Sequence, residues 1–92
     1  MILLMEVECF LYNTHSLKGK RSVLKSLITR LRQDFNVSVA ELDYHDLWQR
    51  TKLGIVTISN DLRLAEKIMQ EVQAVIDADT EMECTHSVTE RL

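Results

Sequence analysis

The sequence has no proline and only two glycines among its 92 residues. These residue types mark turns and linkers, so their scarcity argues against long loops and against a flexible linker between domains. Cysteine is scarce as well, since Cys9 and Cys84 are the only two and lie almost at opposite ends of the chain. This spacing fits neither a disulfide framework nor a zinc site, and it predicts two free, buried thiols.

Long hydrophobic runs are absent. The apolar run at the N-terminus, residues 1–5, is far shorter than the roughly 20 residues that span a bilayer, and it lacks the basic residues that lead a signal peptide. We therefore expect a cytoplasmic protein with no membrane partner. With 46% hydrophobic and 27% charged residues, the composition predicts one globular domain over residues 1–92.

Acidic residues are missing from one stretch of the chain. Between residues 18 and 32 there are six basic residues and no acidic one, although the net charge of the whole chain is −3. Such asymmetry favours an anionic partner, of which a phosphate backbone is the commonest kind. The alternative is the solvated face of a helix that binds nothing. The six residues are Lys18, Lys20, Arg21, Lys25, Arg30 and Arg32.

Hydrophobic periodicity predicts six elements in the order βαββαβ. Apolar residues at three- and four-residue spacing predict a first helix of about five turns, which begins at Leu17 after the N-cap Ser16 and ends at a left-handed Asn36. A second helix follows cap residues at 59–61 and ends near 77–79. Alternating or β-branched segments predict strands over residues 2–12, 37–43, 53–59 and 81–91.

Two right-handed βαβ crossovers in this order predict a ferredoxin-like α+β fold. Its four-stranded antiparallel sheet has both helices on one face and the first and third strands in the centre. The other face of the sheet is left open, and Phe10 and Tyr12 lie on it by parity. This open face is a candidate interface, either for a homodimer or for a larger protein partner.

The basic stretch falls at the start of the first helix. Lys18, Arg21 and Lys25 lie three and four residues apart and form one stripe, with Lys20 beside it. A helix N-terminus favours anions, so cations there need a reason other than the helix dipole. A phosphate bound near the amides at Ser16 and flanked by these side chains supplies that reason.

A second group of polar and aromatic residues occupies the connection at residues 43–50, which contains the only tryptophan. Aromatic side chains with Arg, Gln and His on a connection are suited to stacking on unpaired bases. The interpretation that we favour for Trp48 is a hydrophobic plug formed together with Leu47. His45 and Arg50 remain candidate contacts with a ligand.

No catalytic, metal or cofactor site is predicted. Asp43, His45 and Asp46, even with His15, match no established metal-ligand spacing. Cys84 and His86 share a parity on the last strand, which places them on one face, but nothing else there points to a nucleophile. The chain also lacks GxGxxG and other glycine-rich phosphate loops, so no cofactor is expected.

Several segments together resemble the YlxP-like family of small bacterial proteins. They are SLKGKR at 16–21, FNVSVAE at 35–41, DLWQR at 46–50, LG at 53–54 and SND at 59–61. The sequence departs from the family at Gly19, where an acidic residue is common, and at Tyr44, where a histidine or similar polar residue is usual. The resemblance implies a ferredoxin-like fold and members that tend to be encoded beside translation-initiation and ribosome-maturation factors. It implies no catalytic activity.

We therefore predict a small RNA- or ribosome-associated binding protein with no evident DNA specificity, and we favour binding over an enzymatic activity. The predicted anion contacts are Ser16, Lys18, Lys20, Arg21, Lys25, His45 and Arg50. One alternative is an interaction or dimerisation module. Another is an acylphosphatase-like hydrolase that holds phosphate in the loop at 13–16, although the arginine and asparagine roles of such an enzyme are not clearly filled.

Overall fold

Six elements follow one another in the predicted order βαββαβ, in a computed structural model that describes residues 1–92. The largest difference from the predicted boundaries is at the third strand, which begins three residues earlier and so shortens the connection before it. The strands are β1 (Ile2–Leu11), β2 (Ser38–Asp43), β3 (Arg50–Ile58) and β4 (Met82–Arg91), and the helices are α1 (Leu17–Asp34) and α2 (Leu62–Ala78).

The strands form one antiparallel sheet in the order β2-β3-β1-β4. The predicted ferredoxin-like fold is confirmed, with β1 and β3 in the centre. Alternate residues of a strand point to opposite faces, and every second residue of β1 from Leu3 to Leu11 is buried. These residues define the covered face, against which the helices pack, and the residues between them define the open face.

A core of 16 buried hydrophobic residues lies between the covered face and the helices. Burial of each such side chain contributes about 1.5 to 3 kcal/mol, which is the main source of stability in a domain of this size. The helices bury one stripe each: Leu24, Leu27 and Leu31 from α1, and Ala65, Met69, Val72 and Ile76 from α2.

The helix starts agree with the predicted caps, whereas the end of α1 does not. The Ser16 hydroxyl accepts a hydrogen bond from the Gly19 amide at 3.0 Å, which confirms Ser16 as N-cap. The prediction of a left-handed Asn36 is wrong, because α1 ends on Phe35 in an extended conformation. The Asn36 side chain donates instead to the Ile58 carbonyl at 3.2 Å. The positive φ, 64°, belongs to Tyr44.

Both edge strands carry a β-bulge. In β4, Cys84 is opposite Cys9 while His86 is opposite Glu8, so Thr85 is the extra residue. In β2, Leu42 is the extra residue, and its side chain lies over Gly54. A Cβ at position 54 would lie 2.7 Å from the Leu42 Cδ1, so any larger residue there would require the Leu42 side chain to move.

Neither helix is long and apolar enough to cross a membrane.

Candidate nucleic-acid interface

The cations at the start of α1 divide into one that points inward and several that point outward. The side chain of Lys20 is 2% exposed. Its ammonium lies 2.9 Å from the Glu41 carboxylate and donates to the Tyr44 carbonyl at 2.6 Å. It therefore does not reach an external phosphate in this structure. This corrects the expectation for Lys20, which holds α1 against β2 and the 43–50 connection instead.

The sequence carried a signal for this burial. Lys20, Leu24, Leu27 and Leu31 recur at spacings of four, three and four, so Lys20 lies on the buried stripe of α1. Glu41 faces it from β2, and the Thr51 hydroxyl donates to the same carboxylate at 2.6 Å. The unusual composition of the stripe, apolar except for one lysine, marks an internal ion pair.

The outward cations form what we call the basic face, which consists of Lys18, Arg21 and Lys25. All three are exposed and none pairs with an acidic side chain. No acidic residue occupies the first turn of α1. The basic face therefore keeps its charge available, as the sequence predicted for these three residues.

The two remaining basic residues of α1 are engaged within the protein. Arg30 lies 3.7 Å from the Asp34 carboxylate, one turn further along the exposed surface. Arg32 donates to the Val39 carbonyl at 2.8 Å and so spans from α1 to the edge strand β2. Between α1 and β2 runs a groove of about 530 Å³, whose lining includes Arg21, Lys25 and Arg32.

The 43–50 connection packs beside the start of α1. The Thr14 hydroxyl donates to the Trp48 carbonyl, and Lys20 donates to that of Tyr44. Gln49 donates to the Leu11 and Tyr12 carbonyls, at 3.2 Å each. The structure thus brings the two predicted parts of the site, the helix start and the connection, to the same end of the sheet. His45 is exposed there.

Trp48 is exposed, which contradicts the interpretation of a hydrophobic plug. Its exposed fraction is 53%, and that of Leu47 is 45%. The hydrogen bonds of the connection fix the backbone of this segment while leaving both side chains in solvent. Trp48 lines a shallow cavity of about 460 Å³ together with Phe10, Asp46, Leu47, Gln49 and Arg50.

Arg50 is held in a small cluster on the open face. Its guanidinium lies 4.2 Å from the centre of the Tyr44 ring and 3.7 Å from a Glu8 carboxylate oxygen. The Tyr44 hydroxyl donates to the same oxygen at 2.8 Å. The Arg50 side chain remains 51% exposed, so one side of it faces solvent. This cluster has no signal in the sequence, because the left-handed Tyr44 that closes it does not belong to a periodic pattern.

Phe10 and Tyr12 lie at the same end of the molecule. Their rings meet edge to face with centroids 5.8 Å apart, and they are 36% and 44% exposed. Together with Trp48 they make this end the aromatic part of the surface. Proteins bind single-stranded nucleic acids through aromatic side chains that stack on the bases and through neighbouring cations that contact the phosphates.

The cysteines and His86 do not form a nucleophilic site. The bulge at Thr85 places Cys84 opposite Cys9 and His86 opposite Glu8, so the prediction that Cys84 and His86 share a face is wrong. Both thiols are free. Burial, with smaller contributions from Cys84, Asp77 and Asp79, raises the pKa of the Cys9 thiol to about 12. It is therefore a protonated, unreactive group at neutral pH.

Metal binding and acylphosphatase-like hydrolysis are the two remaining chemistries that the residue types of the sequence allow. No group of three or more His, Cys, Asp or Glu side chains is arranged to hold a metal ion. The acylphosphatase-like alternative stays a prediction, and the contacts in the loop at 13–16 add no support to it. The Ser16 hydroxyl caps α1, and the Thr14 hydroxyl is bound to the connection.

Comparison with known proteins identifies relatives over almost the whole chain. A family described as "Protein of unknown function (DUF503)" matches residues 2–89. The chain belongs to the DUF503 family. One relative, "Uncharacterized protein YlxP" of Bacillus subtilis (strain 168), is 47% identical over 90 residues, which is 98% of this chain and 98% of that protein. The resemblance to the YlxP-like family is therefore confirmed.

Neither description assigns an activity to DUF503 proteins. The candidate site of this member consists of an uncompensated basic face on α1, an exposed tryptophan at the end of the sheet where α1 begins, and a clamp formed by Lys20 and Thr14 that holds the helix start and the connection together.

Proposed function

We propose that this protein is a small cytoplasmic RNA-binding protein that acts on ribosomal or other RNA. In this proposal the basic face of α1 contacts phosphates, and the aromatic end of the molecule contacts unpaired bases. The charge of the basic face supports it, because three exposed cations have no acidic partner within an acidic protein. A phosphate backbone is the partner that compensates such a patch most effectively.

The observation that carries the proposal is the exposure of Trp48. A tryptophan in a domain of this size normally buries its ring, since the ring offers more apolar surface than any other side chain. Here 53% of Trp48 faces solvent although its carbonyl is bound by Thr14. An exposed ring on a hydrogen-bonded backbone can stack on a base with little loss of backbone entropy, and each stacked base contributes roughly 1 to 3 kcal/mol.

The roles of the other predicted residues follow from their surroundings. Arg50 lines the same cavity as Trp48 and would orient the bound strand through its exposed side, and His45, which is exposed on the same connection, would add a further contact. Ser16 contributes through the helix end that it caps rather than through a free hydroxyl. Glu6 and Glu8 stand on the open face, where they repel phosphate, so we place the RNA at the end of the sheet and along α1 rather than across the sheet.

The test measures binding of a fluorescently labelled single-stranded oligoribonucleotide of mixed sequence. We expect Arg21→Glu with Lys25→Glu to weaken binding at least tenfold. The dependence of log K on log salt should become shallower by about 1.4 for two lost phosphate contacts on a single strand. The matched control is Arg63→Glu with Lys67→Glu, which makes the same charge change on the exposed side of α2.

Trp48→Ala separates stacking from charge. We expect it to weaken oligoribonucleotide binding five- to tenfold, roughly the loss of one stacked base, without changing the salt dependence. Leu64→Ala, which shortens an equally exposed apolar side chain on α2, is its control. Equal losses in the α1 and α2 charge variants would overturn the proposed site, and unchanged binding in the α1 variant would remove phosphate contact by the basic face.

A ribosomal target is tested by sedimentation of the tagged protein with purified ribosomal subunits. Association that disappears after nuclease treatment supports RNA as the target. Association that survives nuclease, and is unaffected by the α1 charge reversal, contradicts it and indicates a protein partner.

A further inference from the structure

The open face of the sheet carries an apolar patch that no element covers. Ile58 is 60% exposed, Val88 48% and Leu42 45%, and the half-buried Leu4 and Val56 lie between them. Leu4 is directly opposite Val56, and Ile58 follows two residues along β3. Val88 and Leu42 lie two residues along the strands in the other direction, where Val88 is opposite Glu6 and Leu42 lies over Gly54. Soluble monomers rarely leave such an area uncovered, so a contiguous patch of this kind marks an interface.

The pairs along the two central strands have an unusual order. From one end of β1 to the other, apolar residues face apolar residues, and an acidic residue then faces a lysine. Last, an aromatic residue faces an arginine. These pairs are Ile2 with Ile58, Leu4 with Val56, Glu6 with Gly54, Glu8 with Lys52, and Phe10 with Arg50.

We propose that a second copy of this chain covers the open face, with a twofold axis that runs parallel to the strands between β1 and β3. This axis lays β1 of one copy over β3 of the other at the same level. Two residues that are opposite each other on β1 and β3 of one sheet are therefore also opposite each other across the interface between the two copies. Leu4 meets Val56 of the second copy, and Ile2 meets Ile58 of the second copy.

The charges are complementary in this arrangement. Glu8 faces Lys52 of the second copy, and Phe10 faces Arg50 of the second copy in a cation–π arrangement. The outer strands agree as well, because β4 then lies over β2. His86 comes opposite Asp43 of the second copy, since Glu8 pairs with His86 and Lys52 with Asp43 in each sheet.

A dimer whose twofold axis is perpendicular to the strands lacks this charge complementarity. A twofold axis perpendicular to the strands at the level of Glu6 places Glu6 over Glu6 of the second copy. It also places Leu4 over Glu8 of the second copy, which desolvates a carboxylate against an apolar side chain.

The area is sufficient for a stable dimer. Strands of 10, 6, 9 and 10 residues, at about 3.4 Å per residue and about 4.8 Å apart, present a face of roughly 600 Å² in projection. Because side chains make the face uneven, its accessible surface area is larger than the projected area. It therefore approaches the roughly 800 Å² per partner of a standard interface. The face therefore fits one sheet of equal size, and no added segment of chain is needed.

The first experiment measures the mass of the full chain by analytical ultracentrifugation over a range of concentrations. We expect a monomer–dimer equilibrium whose dissociation constant rises at least tenfold in Ile58→Asp and in Val88→Asp. Leu64→Asp, an equivalent change at an exposed leucine of α2, is expected to leave it unchanged. A monomeric mass at all concentrations overturns the proposal, as does equal weakening by the α2 control.

The second experiment tests the axis. Chains labelled with ¹⁴N and ¹⁵N are mixed and treated with a zero-length carbodiimide, and only peptides that join one label to the other are counted. We expect Lys52 joined to Glu8. This filter is needed because Lys52 lies 3.9 Å from Glu6 within the same chain. Mixed peptides that omit β1 and β3 overturn the axis.

The dimer and the RNA site are separable at the basic face, because Phe10 and Arg50 belong both to the open face and to the aromatic end of the molecule. The basic face lies on α1, on the side of the sheet opposite to the apolar patch. Ile58→Asp is expected to be monomeric and still to bind the oligoribonucleotide with a salt dependence that Arg21→Glu with Lys25→Glu reduces. A monomeric wild type overturns the dimer alone, and wild-type binding by the α1 charge variant overturns the phosphate contact alone.

Discussion

Neighbouring residues of β1 differ in burial because they lie on opposite faces of the sheet. Leu3 is 5% exposed under the helices, whereas Leu4, the next residue, lies half-buried on the open face. The same holds for lysine: Lys20 is buried in an ion pair on the covered side, and Lys52 forms a longer, partly exposed pair with Glu6 on the open side. Residue type alone therefore does not determine the energetic role of a side chain. The face does.

The comparison also assigns different tasks to the two faces. The covered face supplies the free energy of folding, and substitutions there should lower thermal stability. The open face is held in place by the covered one, and substitutions there should mainly change association. The predictions below compare matched residues on the two faces.

The largest effect is expected for Lys20→Met. This change leaves the Glu41 carboxylate and the Tyr44 carbonyl without their buried partner, and breaking such a pair should cost about 3 kcal/mol in the free energy of unfolding. Lys52→Met should cost less than about 1 kcal/mol because its pair is longer and solvated. Urea denaturation measures both. Similar losses for the two variants would show that the faces do not differ for charged groups.

Leu3→Ala and Leu4→Ala make the same test for an apolar side chain. Leu3→Ala removes buried methyl groups and should cost about 2 kcal/mol, and Leu4→Ala should cost about 1 kcal/mol at protein concentrations where the chain is monomeric. At higher concentrations the Leu4 variant should lose further stability relative to the wild type, because dimer formation stabilises the folded chain. Thermal unfolding at two concentrations separates these contributions, and an effect of Leu4 that does not depend on concentration contradicts a role for it in association.

Cys9 gives the covered face a pH dependence. Because its pKa is raised to about 12 in the folded protein, the thiol stays protonated there while the unfolded thiol ionises from pH 9.0 upward. The unfolded state then binds fewer protons, so stability is full below that pH and falls above it, by about 1.4 kcal/mol between pH 8 and pH 10. Cys9→Ala should remove this part of the slope. Identical slopes of unfolding free energy for wild type and variant would contradict the burial effect.

The smallest effect is expected for Arg50→Met on the open face. Its ion pair with Glu8 is 3.7 Å long and half its side chain is exposed, so the loss should be about 0.5 kcal/mol and should vanish in high salt. Urea titrations at low and high salt measure it. A larger loss that persists in salt would mean that the cluster with Tyr44 contributes to folding as the covered face does.

Most of the fold followed from the sequence because it depends on periodicity. The alternation in β1 and the apolar stripes of α1 and α2 predicted the element order, and the crossover rule then left few topologies. The cap at Ser16 was also predicted, since it depends on a local hydrogen bond. Such features are encoded within a few residues of where they act.

The features that were not predicted depend on contacts between distant residues. Burial of Lys20 requires Glu41 and Thr51 from two strands, and exposure of Trp48 depends on a connection whose backbone is bound by Thr14. The bulge at Thr85 is equally invisible, because one extra residue in β4 changes the face of every residue after it. The outward cations of α1 were placed correctly, and their ligand stays a prediction.

The paired bulges have a consequence for solubility. Thr85 in β4 and Leu42 in β2 interrupt the two edges near the same level of the sheet, that of Glu8 and Lys52, and Arg32 occupies the Val39 carbonyl of β2. An interrupted edge cannot template a long run of regular hydrogen bonds with another strand. The sheet can therefore be covered face to face, while continuous growth edge to edge into fibrils is blocked on both sides.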